Sequence, residues 1–533
     1  MRQQLPFFLV SLILAWLQIL PLVSLSQPTV WVYPGALDDL VDEHQLAGMS
    51  VVTRCGDDLS TEFYGGFRDI FAKLPVDPST NYRIASISKA VVALVAAKLD
   101  EQGNLDLDAP IGNVLEDPPF HPDHPETPLT LRHLLTHTSG IRDGDGYGTF
   151  LSDTYSAIPE VPSLSSVLGE GGAYYTANMW GPQEPGTYFQ YANLNFGVAA
   201  TVLEAATGVR FDVLMEDLLF APYGLDAGFR VQDLDNIADL AVLYRQQDGE
   251  WVAQVDDYGG VMPGGPDWSE YIPGTNAVGF APQGGLRTNA RDLTLLARLW
   301  SHGTAPGADG TPLTFLGPDA LAELKSPQWS YDGSNGSNYY GLFNQWANGL
   351  HLAASGLGED EIIPDVEISP FIGHPGEAYG LISDAYATPD GAWSFAFLTN
   401  GKWEGYAAGP ASSYYAVEQD VFAALREDLL QCLTVKVPET GADLTVIGWP
   451  RVGDTLVELR APGWSGPVDL EIMDAAGRRL CSGPVTPMGE DRLIMDVPPL
   501  PGGILIGRLS HRTTATGGHP RGLVGRFIML VTG

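Results

Sequence analysis

The sequence predicts a mixed α/β (α+β) unit, an antiparallel sheet flanked by helices, followed by a small all-β sandwich. Three observations carry this. β-type runs at both ends of residues 27–430 bracket a helical middle, which places the two ends in one sheet. At Ser86 the apolar period changes from that of a strand to that of a helix. After Gln431 only short alternating runs remain, separated by Gly/Pro turns. A chain of 533 residues is too long for one hydrophobic core, so separate units are expected at 1–26, 27–430 and 431–533.

Residues 1–26 pair Arg2 with the apolar run Leu5 to Leu20 and end in Ser24-Leu25-Ser26, the pattern of a cleaved secretory signal. An uncleaved anchor helix is the alternative, which Gln18 and Pro21 weaken; no later segment reads as a span, so the mature form needs no membrane. Met49 to Thr53, a Gly56-Asp57-Asp58 turn and a return through Phe63-Tyr64 to Gly65-Gly66 read as a hairpin. From Ser86, the residues Ile87, Val91, Leu94, Val95 and Leu99 fall at helical spacing until Gly103, so Ser86 stands at a helix N-terminus. Further helices are expected at Leu129–His137, Phe196–Thr207, Ala290–His302 and Tyr415–Leu430, with a strand at Trp393–Leu398. A boundary falls in Val437 to Gly441, and the runs beyond it are spaced as in a β-sandwich.

With 65 acidic against 28 basic residues and a net charge of -37, the chain offers no basic groove, so nucleic acid is excluded as a partner. The acidic residues are dispersed, as on a solvated surface. Three cysteines leave at least one unpaired within a monomer. Cys432 and Cys481 lie late and are candidates to bridge each other, with Cys55 alone; none has zinc-ligand spacing.

Ser86-Ile87-Ser88-Lys89 is the one place where a lysine lies three residues after a serine. Positions i and i+3 share a helix face, so the Lys89 amine can reach the Ser86 hydroxyl. Desolvation lowers a lysine's pKa, which lets neutral Lys89 take the proton as Ser86 attacks a carbonyl, while the backbone N–H of Ser86 faces the oxyanion. Ser88 points to another face, so Ser88→Ala is expected to cost little. Tyr191-Ala192-Asn193 precedes the Phe196 helix: the phenol can pass a proton to the leaving group, and Asn193 can orient Lys89 and a substrate amide. In His374-Pro375-Gly376, Gly376 lets substrate approach the backbone, the N–H of Glu377 is a second oxyanion donor, and His374 can steer substrate. Alone, Ser-x-x-K and Tyr-x-Asn also fit a chance turn or a tyrosine packed under a helix start.

Together, Ser-x-x-Lys, Tyr-x-Asn and His-x-Gly in this order resemble the active-site motifs of the serine β-lactamase/penicillin-binding superfamily, in particular its class C-like branch with esterases and D-aminopeptidases. Leu131 to Ile141 and Gly284-Gly285-Leu286-Arg287-Thr288 are similar to stretches of that group, and the resemblance covers about residues 35–430. It implies a five-stranded-type antiparallel sheet beside an all-helical lobe, with the site between them. It also implies an acyl-enzyme mechanism without metal or cofactor. His133 and His137 read as structural. More weakly, Val468 to Arg478, Leu500-Pro501-Gly502-Gly503 and Arg526-Phe527-Ile528 resemble a type IX secretion sorting domain, with Ile504 where tyrosine is more usual; a surface-binding β-sandwich competes.

Three functions follow as alternatives: a secreted or cell-surface serine hydrolase, an inactive relative that binds cell-wall peptides, and a surface-attachment protein acting through its β-unit. The intact motif set favours the hydrolase, with a small ester or peptide-like substrate and contact with secretion machinery through the C-terminal unit. Where many relatives carry Lys-Thr-Gly, this chain has His374-Pro375-Gly376, which lacks the permanent charge and hydroxyl that hold a β-lactam carboxylate. Esters or D-amino-acid amides are therefore expected over β-lactams, with a true β-lactamase or D,D-peptidase as the alternative.

Overall fold

The computed structural model describes residues 34–435, except 157–159, 354–358, 364–365, 367–369 and 404–406. Beyond residue 435 it describes only the segments 445–446, 456–460, 468–474, 479–484, 486–487, 492–496, 503–511 and 523–531. The signal segment 1–26 and the boundary residues 437–441 lie outside the described residues.

Among the described residues, nine strands form one antiparallel sheet. Its long neighbours run in the order Phe371–Ala378, Leu381–Ala387, Trp393–Thr399, Gly48–Cys55 and Asp58–Asp69. The two ends of residues 27–430 therefore pair directly, with Val51 opposite Phe397 and Met49 opposite Thr399, as the sequence led us to expect. The hairpin forms as anticipated, with Val51 opposite Phe63.

Trp393–Thr399 is buried throughout. The reason is that the sheet is covered on both faces, so both sets of alternating side chains are apolar. Phe395 and Phe397 join Met49 and Val51 in a core closed by the helices Pro34–Glu43 and Ala416–Val435, whereas Ala396 and Leu398 face the core around Ser88–Glu101. That central helix is buried nearly all round, from Ser88 through Ala97. It lies between the sheet and a helical lobe that includes Leu194–Thr207. The helix Ala290–His302 matches its expected bounds, while the one expected at Leu129–His137 is confined to Leu131–Leu135, where the Thr130 side chain caps the His133 N–H. Among the described residues after 435 are two four-stranded antiparallel sheets, consistent with the small all-β unit.

One expectation is corrected. Cys432 is bonded to Cys55, not to Cys481, across a Cα separation of 5.5 Å and 377 residues of chain. Cys55 ends the strand that pairs with Trp393–Thr399, and Cys432 rides the helix packed on that sheet, so the fold juxtaposes residues that sequence order separates. The helix that carries Cys432 continues past Leu430 to Val435.

Candidate active site

Ser86 lies in the short 3-10 turn Ala85–Ile87, which feeds directly into the helix Ser88–Glu101. Ala85 has φ of 49°, a left-handed conformation that is costly for a residue with a side chain. Ser88 holds it in place: its Oγ donates to the Ala85 carbonyl at 2.7 Å and accepts from the Leu286 N–H at 3.1 Å. The Ser88 side chain thus clamps the Ser86 turn to the neighbouring loop, a role the sequence reading did not assign it.

Lys89 is completely buried. Its Nζ lies 3.0 Å from Ser86 Oγ, 2.9 Å from Asn193 Oδ1 and 2.5 Å from the Gln283 carbonyl oxygen. Burial lowers its pKa from 10.5 to about 7, against the opposing pull of the Asp143 carboxylate. Burial conversely pushes the Tyr191 phenol far above its ordinary value. Of the two groups bonded to Ser86, only Lys89 can thus be an unprotonated base near neutrality. A neutral amine has two N–H donors and one lone pair; with the donors on two carbonyl oxygens, the lone pair is left for the Ser86 proton.

Asn193 is oriented by Asp143, a residue the sequence reading did not select. Asp143 Oδ2 accepts from the backbone N–H of Asn193 at 2.8 Å and from its Nδ2 at 2.9 Å, and Oδ1 accepts from the Leu194 N–H at 2.9 Å. With the amide nitrogen on Asp143, Asn193 Oδ1 is turned toward Lys89. The same carboxylate meets the first turn of Leu194–Thr207, where a negative charge is favourable. The sequence signal was its place two residues after Leu131 to Ile141; nothing local distinguished it from the neighbouring Asp145. Gln283 was missed for a different reason: it acts through a carbonyl that any residue carries. Tyr191 stacks on His137, with ring centres 4.3 Å apart, and His137 Nδ1 accepts from the Ala192 N–H. That is the structural role expected of His137.

On the opposite wall runs Phe371–Ala378, which carries His374, Gly376 and Glu377. A Cβ on Gly376 would stand 2.7 Å from the Ile84 carbonyl oxygen and 3.4 Å from the Ala85 Cβ, so only glycine lets this strand lie against the Ser86 turn. His374 is buried, which drives its pKa well below 6.5, and the nearby Lys89 adds to the effect. Its Nδ1 is 2.5 Å from the Pro375 carbonyl and is therefore the protonated nitrogen. Glu377 is exposed and accepts from the Tyr415 hydroxyl at 2.7 Å. Ser86, Tyr191, His374, Gly376 and Glu377 line one cavity of about 620 Å³; Lys89 and Asn193 stand behind Ser86. Among the described residues, no His/Cys/Asp/Glu cluster suited to a metal ion is present, and no helix is long and apolar enough to cross a membrane.

Residues 35–411 match the family model described as Beta-lactamase. The chain belongs to the beta-lactamase family. It is 32% identical over 206 residues to the esterase EstB of Burkholderia gladioli, covering 37% of this chain and 50% of that one. It is 24% identical over 408 residues to penicillin-binding protein 4 of Amycolatopsis lactamdurans, covering 76% of this chain and 91% of that one. In the matches of higher identity to an esterase and a penicillin-binding protein, the chain spans 39 to 50% of the relatives' length. The octameric penicillin-binding protein homologue from Pyrococcus abyssi shares the fold, with a TM-score of 0.52 at 20% identity over 86% of this chain and 98% of that one. In this family member a buried lysine, Lys89, stands behind Ser86.

Proposed function

We propose that the protein is a secreted or cell-surface hydrolase that forms an acyl-enzyme on Ser86 and acts on esters or small D-amino-acid-type amides rather than β-lactams. Lys89 takes the Ser86 proton as its Oγ bonds to the substrate carbonyl carbon. The carbonyl oxygen, gaining the charge, is met by the backbone N–H groups of Ser86 and Glu377. Tyr191, protonated at all working pH values, delivers a proton to the departing oxygen or nitrogen, and Lys89 restores it. Water then attacks the acyl carbon by the same route in reverse. Asn193 holds Lys89 and substrate, and His374 and Gly376 shape the wall. No step requires a cofactor.

The observation that carries the substrate preference is the neutral, buried His374 in a cavity that no lysine or arginine lines among the described residues. A β-lactam carboxylate would there be desolvated without a counter-charge, whereas a neutral ester requires none. The test compares kcat/KM on a short-chain aryl ester and a chromogenic cephalosporin at neutral pH. A clear preference for the cephalosporin would overturn the assignment. The signal segment motivates the exported location, and the last hundred residues are proposed to serve as the sorting domain for it; fractionation of cells expressing the chain with and without residues beyond 440 tests both.

A further inference from the structure

Tyr339, Tyr340 and Gly341 stand one after another in the left-handed conformation, with φ of 50°, 60° and 96°. For the two tyrosines this is costly, and it persists only where the surroundings impose it. Both are tied down. The Tyr339 hydroxyl donates to the Tyr191 carbonyl at 3.1 Å, and the Tyr340 carbonyl accepts from the Ser413 hydroxyl at 2.7 Å. The result is a placement: the Tyr340 ring is 98% exposed, nearly free of contact with the rest of the protein, yet it lines the cavity that holds Ser86. Behind it the wall is aromatic. Tyr191 stacks on Phe343 with ring centres 5.5 Å apart, and Tyr339 meets both edge-on at 5.8 and 5.6 Å.

Tyr191, bonded to Ser86, gives its proton to the departing oxygen and lines this same cavity, so the cavity is where the leaving group lies. Its polar lining, His374, Glu377 and Glu418, offers no cation to an anionic leaving group. The deep end is neutral: burial keeps His374 unprotonated and pushes the Glu418 carboxyl up to about 8. What remains for recognition is the exposed ring, which gains by covering its face with another. We propose that Tyr340 is the specificity-determining residue for the leaving group, its face stacking on a flat, uncharged aromatic ring carried close to the departing oxygen. The proposal rests on the reading of Ser86 as the acylated residue and Tyr191 as the proton donor, and narrows the esters to those of aromatic alcohols. As the ester C–O bond breaks and Tyr191 protonates the oxygen, the neutral alcohol is left stacked on Tyr340.

The test is the ratio of kcat/KM for benzyl acetate to that for cyclohexylmethyl acetate, measured on the full chain and corrected for the alkaline hydrolysis rates of the two esters. They are similar in size, and only the first has an aromatic face. The wild type is expected to favour the benzyl ester about fivefold, the size of one ring-on-ring contact. Tyr340→Ala should bring the ratio near one, and Tyr340→Phe, which keeps the ring face, should restore it; the exposed position lets both variants fold. A wild-type ratio near one, an undiminished ratio in Tyr340→Ala, or no recovery in Tyr340→Phe would overturn the proposal. Saturation-transfer NMR with benzyl alcohol and cyclohexylmethanol reads the same preference without turnover. Preferential binding of benzyl alcohol, lost in Tyr340→Ala, in a chain that hydrolyses neither ester would sink the hydrolase reading but support this site; hydrolysis of both esters with a ratio of one would do the reverse.

Discussion

Lys89 Nζ lies 3.0 Å from Ser86 Oγ with its two other directions taken by carbonyl oxygens. The amine can therefore serve Ser86 only as an acceptor once it is neutral. Replacing either Ser86 or Lys89 by alanine should lower kcat/KM on an aryl ester by more than about a thousandfold. Loss of labelling by a fluorophosphonate probe, with an unchanged circular dichroism spectrum, checks that the fold survives. Activity near wild type in Ser86→Ala would end the mechanism.

The pH dependence follows from the same atom. Lys89 must be unprotonated to act, and burial sets its pKa at about 7, so kcat/KM should rise with pH through about 7 and then level. The Asp143 carboxylate pulls that value upward. Asp143→Asn removes the charge, makes protonation of Lys89 harder, and should move the acid limb to lower pH. An acid limb unmoved in a folded variant would show that another group controls it.

Ser88 should matter for stability. Ser88→Ala leaves the buried Leu286 N–H without its side-chain acceptor and releases Ala85 from its clamp, at a cost of about 1–3 kcal/mol. Denaturant unfolding measures it, and a cost near zero would contradict the bonding described. Activity should fall as well, because Leu286 follows closely on the Gln283 carbonyl that holds Lys89.

The Cys55–Cys432 bond closes a loop of 377 residues of sequence separation. Cys55→Ser should cost about 2–4 kcal/mol and lower Tm. Peptide mapping under non-reducing conditions should recover a Cys55–Cys432 peptide, with Cys481 as the thiol that alkylates. For the same reason, a truncation after residue 430 should be markedly less stable than one after 436. The shorter piece lacks both the end of the closing helix and the disulfide.

Sequence alone determined the class of fold and that Lys89 reaches Ser86. Periodicity located the hairpin at Gly48, the helix after Ser86 and the strand at Trp393, because these are local consequences of which side chains must be buried. Spacing located Ser86 and Lys89 for the same reason: a helix turn converts three residues of sequence into one face. What only the tertiary structure decided lies between distant segments. Asp143 reaches Asn193 across 50 residues, Gln283 reaches Lys89 across 194, and Cys55 meets Cys432 across 377. The desolvation that brings Lys89 to about 7 is likewise no property of the helix that carries it, since it arises when sheet and helical lobe close over that helix. Buried carboxyls such as Asp384 and Glu418 leave no mark in composition, because a local pattern cannot tell a charge in water from one deprived of it.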